Sequence, residues 1–244
     1  MPLGWTTGGL YTYRYQDREL LLRSDTGALL RTIARQPLGS DYFVMNGSLY
    51  FISHAALVRA SRAGTRRLAP LASLGTSARP WLQPLGSLVE LQDNSRVVVV
   101  RPNGSVFART PLPRSQGQAE SISSELVADR QRSAVAFTAA AGKSNDPAAA
   151  RLAHGTETVY VLRAGAHSAT PVHAERVDFR VCERGASLQW HGRWLLYSNS
   201  EGNLVLIDTT GGGDRAIDLT RLIHSLPGTH DGFSAFWGGH PFEQ

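Results

Sequence analysis

The sequence predicts an all-β chain folded as a β-propeller, with five blades. Three observations lead there. A pattern of short β-rich runs recurs five times, a glycine closes each recurrence, and only 146–152 and 219–226 read as helix, both too short to stand alone.

Each recurrence is a β-rich run, a polar turn, a second β-rich run and a Gly turn, then a further run. In a blade of four antiparallel strands, a (inner) to d (outer), the first two runs are b and c. They read 9–15 into 20–27, 47–53 into 56–64, 86–92 into 97–104, 133–138 into 158–165, and 192–198 into 204–211. The closing glycines are Gly27, Gly64, Gly104, Gly165 and Gly211, at spacings of 37, 40, 61 and 46 residues. A period of about 40–50 residues of short strands is what a propeller blade requires. The 61-residue spacing holds an insertion over 139–157. Turns such as Pro102-Asn103-Gly104 suit a hairpin that needs positive φ.

Strand d follows each glycine, at 29–33, 66–71, 105–110, 170–173 and 215–219. Strand a precedes b at 42–45, 81–84, 122–128 and 188–190. Only eight residues precede Gly9, so the first blade is expected to take its strand a from 232–237. That run would pair with strand b of the first blade and close the ring, leaving no exposed edge. A two-sheet sandwich also accommodates regular short strands; the fixed period favours a propeller, as one domain over 1–244.

The segment Gln189-Trp190-His191-Gly192-Arg193-Trp194-Leu195-Leu196-Tyr197-Ser198, followed by Leu204-Val205-Leu206-Ile207-Asp208, resembles the TolB-type propeller repeat of bacterial proteins. That repeat has a Pro-Asp-Gly-Lys turn, an Ile-Ala-Phe-Ser strand and a strand ending in aspartate. Residues 128–138 and 46–51 are looser copies. His191 stands where the turn aspartate belongs, and the Pro-Asp-Gly triplet occurs nowhere intact. The family's fold usually has six blades, so six are expected here if an N-terminal portion is missing. The resemblance implies a propeller with a binding role and carries over no catalytic residue.

Composition removes other classes. Hydrophobic residues make up 42% and charged residues 18%, which is too apolar for a disordered chain. Cys182 is the single cysteine, so no internal disulfide framework exists. No apolar run approaches the ~20 residues of a spanning helix, and 1–10 lacks the pattern of a signal peptide. The expectation is a cytoplasmic protein as written, or an exported one if an upstream signal was removed. The net charge is +5, and of the 25 basic residues only Lys143 is a lysine. An Arg- and Ala-rich balance of this kind more often reflects a GC-rich genome than a ligand. The arginines are scattered, and their densest cluster, Arg59, Arg62, Arg66 and Arg67, includes no aromatic, which argues against nucleic acid.

The a–b and c–d turns of a blade emerge on one face, and the b–c and d–a connections on the other. Here the second set holds the irregular length: 72–80, 111–121, 174–187, 220–231 and the insertion. Long loops on a rigid scaffold commonly carry binding. The expected binding face therefore presents Asp17, His54, Asp93, Asn94, Lys143, Asp146 and Glu201.

Chemical motifs are weaker. His224, His230, Asp231 and His240 lack the close spacing of a zinc site. No Gly-x-Ser-x-Gly elbow accompanies the serines and histidines. Cys182 reads as a small buried residue. Asp41, Glu125, Asp129 and Asp231 lie on or near inner strands, where a propeller glycosidase would carry paired acids; turn capping explains Asp41 and Asp129 equally. Phe43, Trp81, Trp190 and Trp237 recur on inner strands and are expected to be core between blades. The sequence thus predicts a monomeric, non-enzymatic module that binds a protein, small-molecule or carbohydrate ligand, with no cofactor and no metal. A hydrolytic propeller is the alternative.

Overall fold

The computed structural model describes residues 2–6, 8–35, 42–77, 79–115, 118–122, 124–129, 131, 133–141, 155–178, 186–210 and 215–225. They form five antiparallel sheets, each a meander taken in chain order. The first is β1 (Pro2–Thr6), β2 (Gly9–Arg14), β3 (Glu19–Arg23) and β4 (Leu29–Arg35). The second is β5 (Tyr42–Met45), β6 (Ser48–Ser53), β7 (Ala56–Ser61) and β8 (Gly64–Pro70), after which comes the short helix α1 (Leu71–Leu74). The third is β9 (Trp81–Leu85), β10 (Leu88–Gln92), β11 (Arg96–Val100) and β12 (Val106–Pro111). A two-strand hairpin, β13 (Arg114–Ser115) and β14 (Gln118–Ala119), follows.

In the fourth sheet the first position is split between β15 (Ser121–Ile122) and β16 (Val127–Ala128), which both pair with β17 (Ala134–Ala141); β18 (Gly155–Arg163) and β19 (Thr170–Val177) complete it. The fifth is β20 (Ser187–His191), β21 (Trp194–Ser198), β22 (Leu204–Asp208) and β23 (Ala216–Asp218), then α2 (Leu219–His224). Two compact units result: Met1–Leu112 with Gly165–Ser168, and Pro113–Ala164 with Ala169–Gln244. Among the described residues no helix is long and apolar enough to cross a membrane.

The b, c and d strands fall where the repeat places them. Closure of the first sheet differs. β1 already pairs with β2 on the side away from β3, with Trp5 opposite Leu10 and Thr6 opposite Gly9. Both edges of β2 are therefore occupied, and no strand from the chain's end can take that position; residues 232–237 lie outside the described residues. The strand fits within the first six residues, β1 ending at Thr6 and β2 beginning at Gly9. The insertion is also shorter than expected. β17 runs to Ala141 and β18 starts at Gly155, so the hairpin ladder consumes both ends of 139–157. The helix-like stretch at 219–226, too short to stand alone, carries α2 over Leu219–His224; 146–152 lies outside the described residues, and α1 was not anticipated.

Strand periodicity explains the packing. In β6, Leu49 and Phe51 point into a cluster with Tyr11, Leu20 and Leu22 of the first sheet, while Tyr50 and Ile52 point into a cluster with Leu82, Val89, Leu91 and Val98 of the third. Successive side chains of a strand face opposite sides, so a sheet buried on both faces needs an unbroken apolar run. Burying each such side chain contributes about 1.5–3 kcal/mol. In the second unit Ala136, Val159, Val161, Leu195, Tyr197 and Ile207 form the corresponding layer between the fourth and fifth sheets.

First strands of successive sheets are neighbours within each unit. β5 lies beside both β1 and β9, and β16 lies beside β20. Gly4 permits the first approach: a Cβ there would sit 2.9 Å from Val44 Cγ2. The Trp190 indole N–H donates to Val127 O at 3.1 Å in the second unit. Arginines bridge sheets as well, Arg31 to Ser61 O at 2.8 Å and Arg163 to Thr209 O at 2.7 Å.

Candidate functional site

The b–c turns and d–a links stand at one edge of every sheet, because the strands alternate in direction. The Ser53–Ala56 turn is the tightest of them. His54 and Ala55 both have positive φ, 48° and 54°, the geometry of a type I′ turn, here built without asparagine or glycine. Such a conformation is uncommon for a residue with a Cβ and stores strain. The His54 ring is exposed, and its Nδ1 lies 2.9 Å from Ser53 Oγ. An open groove of about 280 Å³ runs from His54 past Arg35 and Phe51 to Arg67.

Asp17 sits in the turn of the first sheet, paired with Arg14 at 2.7 Å. Arg14 also reaches Glu19, whose buried carboxylate is paired with Arg35 Nε at 3.1 Å.

Asp93 and Asn94 occupy the turn between β10 and β11, but with different fates. Asp93 is buried and does not present itself to solvent. Its Oδ2 accepts from Ser77 N at 2.6 Å; its Oδ1 accepts from Ser95 N at 2.8 Å, Ser95 Oγ at 2.7 Å and Arg96 N at 3.0 Å. Burial alone would raise its pKa; the hydrogen bonds outweigh burial and hold it below the ordinary aspartate value. Asp93 thus clamps the d–a link at Ser77 onto the b–c turn. The clamp forms the floor of an open depression of about 430 Å³, rimmed by Arg79, Trp81, Asn94 and Ser95.

Trp81 corrects the expectation that the inner-strand aromatics are core, since its side chain is 59% exposed. Phe43 and Trp190 are partly buried, and Phe43 stacks on Tyr50 at 5.3 Å; Trp237 lies outside the described residues.

In the second unit, Glu201 stands exposed on the turn between β21 and β22 and accepts from Asp178 N. Asn199 shapes that turn, its Oδ1 accepting from Glu201 N at 3.0 Å and Asn203 N at 2.8 Å. An open groove of about 510 Å³ lies alongside, lined by Glu175, Asn203, Thr220, Arg221 and His224.

Glu157 and Glu175 are cross-strand neighbours on β18 and β19. Glu157 is fully buried and accepts from Tyr197 Oη, Ser200 N and Ser200 Oγ. Burial first, then the charges of Glu157 and Glu175, push the Tyr197 phenol far above its usual pKa. Burial also raises Glu120, and burial together with Glu120 pushes Tyr160 up to about 12. No sequence signal marks these groups: Glu157, Tyr160 and Tyr197 occupy ordinary positions in strand alternation, and Glu120 lies between β14 and β15.

The structure does not gather the expected residues into one site. Asp17, His54 and Asn94 lie at the turn edge of three successive sheets in the first unit, and Glu201 lies at the same edge of a sheet in the second. Lys143, Asp146, Cys182, His230 and His240 lie outside the described residues, as do Asp41 and Asp231. Asp129 accepts from Ser133 N at 2.6 Å and from Ser133 Oγ, which is turn capping, and Glu125 is exposed. Among the described residues no group of three or more His, Cys, Asp or Glu is placed to hold a metal ion.

No family model matches the chain, and no curated protein matches it. Among solved structures, it is similar to BamB from Moraxella catarrhalis, with 14% identity, a TM-score of 0.42, and coverage of 85% of this chain and 57% of that one. Kluyveromyces lactis Hsv2 gives 10% identity, a TM-score of 0.45, and coverage of 84% and 60%. YCF48 from Cyanidioschyzon merolae gives 13%, 0.37, and coverage of 87% and 70%. The chain thus spans less than two thirds of the length of BamB and Hsv2. The fold assignment rests on the chain's own sheets.

Proposed function

We propose that this chain is a non-enzymatic binding module of the TolB-like β-propeller type. Its five sheets would be the blades of one domain, and its b–c/d–a face would take a protein or small-molecule ligand. The adjacency of first strands, β1 to β5 to β9 and β16 to β20, supports the blade reading, since inner strands crowd about a propeller's axis. The observation that carries the binding reading is the placement of three open grooves among the described residues. Each borders a b–c turn: His54 in one, Asp93 to Ser95 in the next, Asn203 in the third. Concave, polar-rimmed ground on a rigid scaffold is where ligands are taken.

A photo-crosslinking residue placed at His54 or Asn94, and separately at the c–d turn positions Asp25 or Asn103, tests the face. Crosslinks in extracts of the source cell should form at the first pair. Crosslinks confined to Asp25 and Asn103 would overturn the reading.

A further inference from the structure

The depression over Asp93 holds an unusual pairing of side chains. Trp81 opens β9 directly opposite Gln92, beside the Asp93 turn, and exposes 59% of its surface while Leu82 and Leu85 of the same strand are buried. Leaving so much indole in water forgoes a large burial term unless something covers it. Arg79, two residues earlier, is exposed and makes no hydrogen bond or ion pair with any described residue. Pro80 between them is buried and fixes its own φ, which narrows the backbone path that joins the two residues. Exposed Ser77 and Asn94 add neutral hydrogen-bonding groups at the rim. The floor is rigid, because Asp93 ties Ser77 to Ser95 and Arg96.

We propose that this depression binds an acidic saccharide. One pyranose ring lays its C–H face on the Trp81 indole, its carboxylate pairs with the Arg79 guanidinium, and its hydroxyls reach Asn94 and Ser77. A cationic ligand fits poorly: the Asp93 carboxylate is already filled by four donors, and the free charge at the rim is positive. Single-stranded nucleic acid needs a track of aromatics and cations, whereas one tryptophan and one arginine line this ground. The inference rests on the b–c/d–a face being the binding face, and it names the ligand class for one part of that face.

Calorimetric titration of the full chain with trigalacturonate, neutral galactotriose and a hexathymidylate tests it. Trigalacturonate should bind more tightly than the other two. W81A should weaken it roughly tenfold or more with an unchanged thermal midpoint, since the ring is exposed. R79Q should abolish the preference for the acidic over the neutral trisaccharide. No saccharide binding, equal affinity for galactotriose, tighter binding of the oligonucleotide, or binding that survives W81A would each overturn the proposal. Crosslinks at Asn94 with no saccharide binding would sink the ligand class alone. Trp81-dependent saccharide binding with crosslinks only at Asp25 and Asn103 would leave the saccharide site standing and sink only the reading that this face also takes a protein.

Discussion

The Tyr197 hydroxyl donates to Glu157 at 2.8 Å, joining β21 to β18 through the apolar layer between the fourth and fifth sheets. The backbone N–H and the hydroxyl of Ser200 each add a 3.0 Å bond to the same carboxylate. A buried acid is tolerable there because three donors from the neighbouring sheet replace water.

Tyr197→Phe keeps the ring in the layer and removes one donor from a fully buried carboxylate. The expected loss is about 1–3 kcal/mol of stability, read as a lower urea midpoint with an unchanged slope. A midpoint equal to wild type would show that the bond contributes nothing net.

Asp93 should make stability depend on pH on the acid side. Its folded pKa lies below the ordinary aspartate value, so its contribution is complete above about pH 5 and is lost as pH falls through the lowered folded value. Asp93→Asn should destabilise at pH 7 and flatten the acid limb of a stability-versus-pH curve. An acid limb as steep as that of wild type would count against the clamp.

Ala55 is held at φ 54°. Ala55→Gly relieves left-handed strain of about 1–2 kcal/mol against a smaller gain of freedom in the unfolded chain. Chemical denaturation should therefore show a net stabilisation of roughly 0.5–1 kcal/mol. Destabilisation would mean that the turn is not strained.

Gly27 and Gly104 both close hairpins with positive φ, 84° and 95°, but their surroundings differ. A Cβ on Gly27 meets open space, whereas one on Gly104 would lie 2.8 Å from Leu68 O. Gly27→Ala should cost about 1–2 kcal/mol of strain, and Gly104→Ala a further ~1–3 kcal/mol for the overlap. Thermal unfolding of the two variants side by side checks the order.

Much of this fold was legible because runs such as Leu49-Tyr50-Phe51-Ile52 are apolar on both faces, and because c runs lead into glycines such as Gly27, Gly104 and Gly165 that take positive φ. The first strand was missed for a local reason. Pro2-Leu3-Gly4-Trp5-Thr6 contains two poor strand formers, yet Gly4 is what the approach to Val44 demands. The candidate site was legible only as an edge. Counting turns put Asn94 and His54 on b–c turns, where the structure has them exposed, but Asp93 reads the same as any exposed turn aspartate until Ser77 arrives from sixteen residues away.

By itself, the sequence determined five recurring sheets, the order of strands b, c and d within each, and which turns join b to c. All three follow from alternation and turn chemistry, which act over a few residues. Tertiary structure decided which polar groups are buried and which aromatics, Trp81 among them, are left in water. Glu157 became a buried acceptor and Trp81 an exposed platform because burial depends on what the neighbouring sheet places opposite, and no local pattern encodes that.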